Sequence, residues 1–160
     1  MFGWSPLIAP NCRVFNARVV DVIKQFNIKT VILSARWDAA FGFGLAPERI
    51  SETVQKLNQL GLKVIVIGQI PVFRPNVKWL AARGKFPDGA PIVFDENINR
   101  RIQQYSSGAV FIDPLPLLCD GNTCQFRTSD NAYFGDAAHL SVFGSNWFVE
   151  RFVPLLNGAL

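Results

Sequence analysis

The stretch Phe134-Gly135-Asp136-Ala137-Ala138-His139-Leu140-Ser141 holds the only histidine in the chain, with an aspartate three residues before it. A histidine that takes a proton from a nucleophile needs a carboxylate on its other ring nitrogen. The carboxylate fixes the tautomer and steadies the imidazolium that forms. Asp136 and His139 are close enough for one tight loop to supply both. Ser141 is placed to cap a following helix by accepting a bond from a free backbone N–H, and that helix would hold the loop. The plainer reading is a surface pair, because a short motif is a hypothesis until its structural context agrees.

Such a pair serves a nucleophile, and the sequence assigns none. Ser5 precedes Pro6 and is poorly placed; Ser34 reads as a core residue inside a strand; Ser106 and Ser107 read as a solvated helix end. A Cys–His pair is the remaining nucleophilic option. However, Cys119 and Cys124 enclose Asp-Gly-Asn-Thr, and that turn-rich spacing favours a local disulfide and an oxidising compartment. Cys12 is left over, either as a buried thiol or with a partner outside this chain. One His and three scattered Cys make no metal-ligand pattern, and no cofactor is expected.

The elements that must position these groups follow from periodicity. Residues 15–26, 47–60, 75–84, 95–105 and 142–156 read as helices, with Gly61 ending the second and Asp95 capping the fourth. Residues 30–35, 63–67 and 109–113 are short apolar runs rich in β-branched residues and read as buried parallel strands. Residues 1–11 and 85–91 read as loops, and 115–127 as a small hairpin around the two cysteines. Strands alternating with amphipathic helices imply an α/β fold, a three-layer sandwich with a parallel sheet and right-handed crossovers. Chemistry in such sheets collects beyond the C-terminal strand ends, where Arg36-Trp37, Gln69 and Asp113 fall. Arg36 and the Trp37 indole N–H are candidate oxyanion donors. The competing reading is a packed Trp over an Arg stem, with Asp38 pairing Arg36. Asp113-Pro114 reads as a strand end and turn.

The 160 residues suit one domain, 1–160, with 49% hydrophobic and 18% charged residues. The net charge is +4 and the basic residues are scattered, so a nucleic-acid partner is not expected. No apolar run approaches the length of a membrane span, and no basic segment precedes an apolar core at the N-terminus. The missing export signal and the expected disulfide are reconciled if an upstream part of a longer protein carries export.

Asp-x-x-His-Leu-Ser near the C-terminus, followed by Gly144 and an aromatic helix, resembles the last block of the SGNH hydrolase superfamily. More narrowly, it resembles the SGNH domain fused to acyltransferase-three membrane proteins, which O-acetylate bacterial surface polysaccharides. The stretches Cys12-Arg13-Val14-Phe15-Asn16, Thr30 to Trp37, and Phe111-Ile112-Asp113-Pro114 with its Cys pair are similar as well. The resemblance implies a Ser-His-Asp triad in which His139 is base and acid and Asp136 orients it. It implies an acyl donor, a carbohydrate acceptor, an upstream membrane acyltransferase domain, and a periplasmic or extracytoplasmic location. It also implies a Gly-Asp-Ser nucleophile block after a first strand, and neither occurs here. The chain is therefore expected to be a C-terminal fragment, inactive without its upstream serine.

Two other classes stand beside this. A non-catalytic carbohydrate-binding or scaffold module would use Trp37, Phe41, Phe43 and Trp79 as stacking surfaces. A nucleotide or flavin binder lacks its Gly-rich phosphate loop, since Gly42-Phe43-Gly44 has only part of that fingerprint.

Overall fold

The computed structural model describes residues 10–74, 77–82, 89–93, 95 and 97–157. In chain order the elements are α1 (Pro10–Gln25), β1 (Thr30–Leu33), α2 (Trp37–Gly42), α3 (Glu48–Gln59), β2 (Lys63–Ile67), α4 (Val77–Ala82), β3 (Ala90–Pro91), α5 (Ile98–Gln104), β4 (Val110–Ile112), a 3-10 turn (Leu115–Leu117), β5 (Cys119–Asp120), β6 (Thr123–Cys124) and α6 (Val142–Asn157). They fall into two compact units. The first comprises Met1–Gln69 with Asn97–Ile112, the second Ile70–Glu96 with Asp113–Leu160.

The first unit is built on a parallel sheet of order β1-β2-β4. The register pairs Thr30 with Lys63 and Ile65 with Val110. This is the α/β arrangement that the alternation of strands and helices implies. Central β2 buries Val64, Ile65 and Val66, as an apolar parallel strand covered on both faces should. Helix α3 packs Ile50, Val54 and Leu57 inward, at the i, i+4, i+7 spacing of one helical face. Asn27 ends the turn after α1 with φ of 50°, a conformation that asparagine tolerates better than most residues.

Several boundaries differ from the sequence reading. β1 stops at Leu33 and is the outermost strand, so Ile32 is 50% exposed instead of buried. Ser34 lies just past it, exposed rather than in the core. Helix α2 was not legible at all. α5 starts at Ile98, so Asn97 and not Asp95 holds its N-cap position. Ser106 is not solvated: it is buried and its hydroxyl donates to the Ile102 carbonyl at 2.6 Å. Ser107 is exposed. Ser5 and the side chain of Cys12 lie outside the described residues.

The second unit has an antiparallel sheet of order β3-β6-β5, in which β3 occupies part of the expected 85–91 loop. Its core is aromatic: Phe73, Phe126, Phe134 and Phe148 are buried together with Leu80 and Cys124. Phe73 meets Phe134 and Phe126 edge-on, with centroids 5.0 and 5.9 Å apart, an arrangement that matches ring edges to ring faces. The β5–β6 hairpin is closed by a disulfide between Cys119 and Cys124.

Candidate functional site

The 134–141 loop is closed by backbone pairing at its base. Phe134 bridges Leu140 in antiparallel fashion, and Gly135 N–H donates to the His139 carbonyl at 2.8 Å. Asp136 organises the tip. Its Oδ1 accepts the backbone N–H groups of Ala138 and His139, each at 2.9 Å. Its Oδ2 lies 2.8 Å from His139 Nδ1. These bonds, led by the one from Ala138 N–H, hold the Asp136 carboxyl down at about 2. A carboxylate at neutral pH can only accept, so Nδ1 carries the hydrogen and Nε2 is left as the proton acceptor.

The His139 side chain is 80% exposed, and Nε2 has no partner among the described residues. Asp136 is 43% exposed. The pair is therefore aligned and reachable, which is what transfer of a proton to and from an incoming hydroxyl requires.

Helix α6 holds the loop from behind. Ser141 Oγ accepts the Gly144 N–H at 2.9 Å and donates to the Ala132 carbonyl at 2.5 Å. It thus caps the helix and ties it to the preceding strand-like segment. Ser141 N–H donates to the Tyr133 carbonyl at 2.9 Å. A further restraint escaped the sequence reading: Phe73 N–H donates to the Ala137 carbonyl at 2.8 Å, while the Phe73 ring packs on Phe134. The apolar run Ile70-Pro71-Val72-Phe73 after β2 was the available signal.

The first unit carries the weaker candidates. Trp37 is buried and its indole N–H donates to the Ile67 carbonyl at 2.9 Å. This bond fits the packed-Trp reading, in which the indole N–H is engaged inside the fold and not presented to developing charge. Arg36 keeps a half-exposed side chain, with Nε 3.2 Å from Asp38 Oδ1. Gln69 is fully buried; its Oε1 accepts Asp38 N–H at 3.0 Å. Its backbone N–H donates to Asn99 Oδ1 at 2.6 Å, and Asn99 Nδ2 returns a bond to the Gln69 carbonyl at 3.1 Å. Gln69 is thus a clamp between α2 and α5. A β-carbon at Gly68 would lie 2.7 Å from Asn99 Oδ1, so a side chain there would displace the Asn99 clamp. In the second unit, Asp113 Oδ1 accepts Leu115 N–H at 3.0 Å and starts the turn after β4.

Of the aromatic stacking candidates, Trp37 is buried and Phe41 has the Arg101 guanidinium 5.4 Å over its ring. Phe43 and Trp79 remain exposed, at 72% and 38%. Among the described residues no three His, Cys, Asp or Glu converge as a metal site, and no helix is long and apolar enough to cross a membrane.

A family model described as the SGNH domain fused to AT3 domains matches residues 1–154. No curated protein and no solved structure matches the chain. A match over nearly the whole length, on a parallel α/β sheet and an aligned Asp–His loop, places this chain in the family of SGNH domains fused to AT3 domains.

Proposed function

We propose that this chain is the acid–base half of an O-acyl transfer or ester hydrolysis site acting on cell-envelope carbohydrate, with acetyl as the group moved. Membership of the family carries esterase or acyltransferase-type chemistry. The observation behind the finer reading is the 2.8 Å contact of His139 Nδ1 with Asp136 Oδ2, on a ring whose other nitrogen faces outward.

The steps follow from that geometry. A serine hydroxyl attacks the donor ester carbonyl, and its proton passes to His139 Nε2. The tetrahedral intermediate collapses, and Nε2–H gives the proton to the departing donor oxygen. A sugar hydroxyl, or water, then attacks the acyl-serine and hands its proton to Nε2. The acyl group leaves on the acceptor, and the serine oxygen takes the proton back. Throughout, Asp136 stays ionised and stabilises the imidazolium.

The serine is supplied by an upstream segment of the longer polypeptide. Among the described residues the outer edge of β1 is unpaired and Ile32 is half-exposed, which supports this reading, since an apolar parallel strand is ordinarily flanked and covered. Fusion to AT3 domains suggests a membrane protein, and the Cys119–Cys124 disulfide supports a site on its oxidising, extracytoplasmic side.

The test is acetyl-ester hydrolysis and acetyl transfer to polysaccharide by the full-length protein and by this chain alone. Activity in the first that vanishes in His139→Ala, with none in the second, is the expected result. Hydrolysis by this chain alone, lost in His139→Ala, would place the serine within it. Glycan binding unchanged by His139→Ala, with no acyl transfer in either protein, would make it a carbohydrate-binding module instead.

A further inference from the structure

We infer that the Cys119–Cys124 disulfide is a positioning element of the Asp136–His139 loop, and that Cys119 is the sulfur through which a dithiol reductant releases it. The bond sits at one end of two continuous routes to the loop, both within the second unit.

The first route is backbone. Cys124 pairs with Cys119 on one side and Ala90 on the other, and Gln125 N–H donates to the Leu118 carbonyl at 2.8 Å. The next residue, Phe126, accepts Tyr133 N–H on its carbonyl at 2.9 Å, and the Tyr133 carbonyl accepts Ser141 N–H at 2.9 Å. Ser141 lies two residues beyond His139. The second route is side-chain packing. Cys124 belongs to the same buried cluster as Phe126, Phe73 and Phe134. Phe134 and Leu140 close the base of the loop, and Phe73 N–H holds its tip at Ala137. A close-packed core transmits a displaced strand to its neighbours rather than absorbing it.

The two sulfurs are not equivalent. Cys124 is fully buried, whereas Cys119 is partly exposed and lines a surface depression of about 510 Å³ with Pro116, Leu117, Asp120 and Gln125. A thiolate from a dithiol therefore attacks Cys119 Sγ, forming a mixed disulfide. Cys124 Sγ leaves and takes up a proton. The reductant's second thiol then attacks its own sulfur in the mixed disulfide and frees Cys119 as a thiol. The reductant ends as a cyclic disulfide, two electrons having passed to the protein. Leaving as a thiolate inside an apolar core is unfavourable, so exchange with a monothiol stalls and a dithiol is required. The freed Cys124 thiol stays in place as a small apolar side chain, so the hairpin loosens while the core remains.

This goes beyond the acyl-transfer reading, and bears on catalysis only where that reading holds. The test is amide hydrogen exchange on the full chain, oxidised, reduced with dithiothreitol, and as Cys119→Ser. In the reduced and variant chains, the Gly135, Ala138, His139 and Ser141 amides should exchange at least about tenfold faster, as expected when a short ring no longer restrains local opening. The Val64, Ile65 and Val66 amides of the other unit should keep their rates. Unchanged loop rates in both forms would overturn the inference. So would faster exchange of the Val64–Val66 amides in both, which would make the disulfide a general stabiliser. Because exchange needs no substrate, a failed acetyl-transfer assay leaves this result standing, and the reverse also holds.

Discussion

Gly144 presses its α-carbon against the backbone carbonyl of Tyr133, leaving no room for a side chain between them. The contact lies beside the cap: the Gly144 N–H goes to Ser141 Oγ, and the Tyr133 carbonyl takes Ser141 N–H. Gly144 sits inside α6, where alanine ordinarily gains about 1 kcal/mol over glycine. Here the sign should reverse. Both colliding groups are backbone and no rotamer change relieves them, so Gly144→Ala should cost about 3 kcal/mol, at the upper end for overpacking. Urea unfolding of the two chains checks this; an unchanged or raised midpoint would contradict it.

Asp136 does two jobs that two substitutions can separate. Asp136→Asn keeps an oxygen for the Ala138 and His139 N–H groups, so the loop should hold. The new amide NH₂ would face Nδ1 as a donor and force the hydrogen onto Nε2, which then cannot accept a proton. Acyl-transfer activity of the full-length protein should fall by a factor on the order of 10⁴, with only the stability due to the carboxylate's charge lost. Asp136→Ala removes the acceptors as well, and should add a loss of roughly 1–3 kcal/mol from unpaired loop N–H groups. Equal unfolding midpoints for the two variants would mean that the carboxylate does not organise the loop.

The same carboxylate sets a pH dependence. Its folded value of about 2 lies below its ordinary 3.8, so the unfolded chain binds this proton more readily than the native one. The stability it contributes is fully present above 3.8 and is lost as pH falls through about 2. The melting temperature should therefore fall more steeply over that window in the native sequence than in Asp136→Asn. Parallel curves would show that the Ala138 and His139 N–H bonds do not favour the ionised form.

What the sequence revealed and what it hid divide by the range of the interactions. Asp136, His139 and Ser141 were legible because three residues of spacing leave few ways to close a loop, and a hydroxyl before a helix has one obvious task. Strand β2 was legible because four successive apolar β-branched residues, Val64 to Ile67, suit little else. Helix α2 was hidden because its six residues show no period; it is fixed by Trp37 bonding the Ile67 carbonyl and Gln69 accepting Asp38 N–H, partners about thirty positions away. The Asn99 clamp on Gln69 and the Phe73 bond to Ala137 are of the same kind. A polar side chain satisfied by a distant backbone group leaves no local pattern to read.

That distance dependence makes Trp37 and Arg36 a useful pair to separate experimentally. Trp37→Phe removes the indole N–H and leaves the Ile67 carbonyl without that donor. It should cost roughly 1–3 kcal/mol of stability while the folded fraction of the full-length protein keeps its kcat. A residue donating to an oxyanion would behave in the opposite way, losing about 10²–10³ in kcat at unchanged stability. Arg36→Ala breaks only an exposed pair with Asp38, worth about 0–1 kcal/mol, so stability should hardly move. Any effect there belongs to the exposed guanidinium itself, and a raised KM with kcat unchanged would identify it as a group that binds substrate without joining the chemical step. If Trp37→Phe lost kcat and kept its unfolding midpoint, the bond to Ile67 would have to open during turnover.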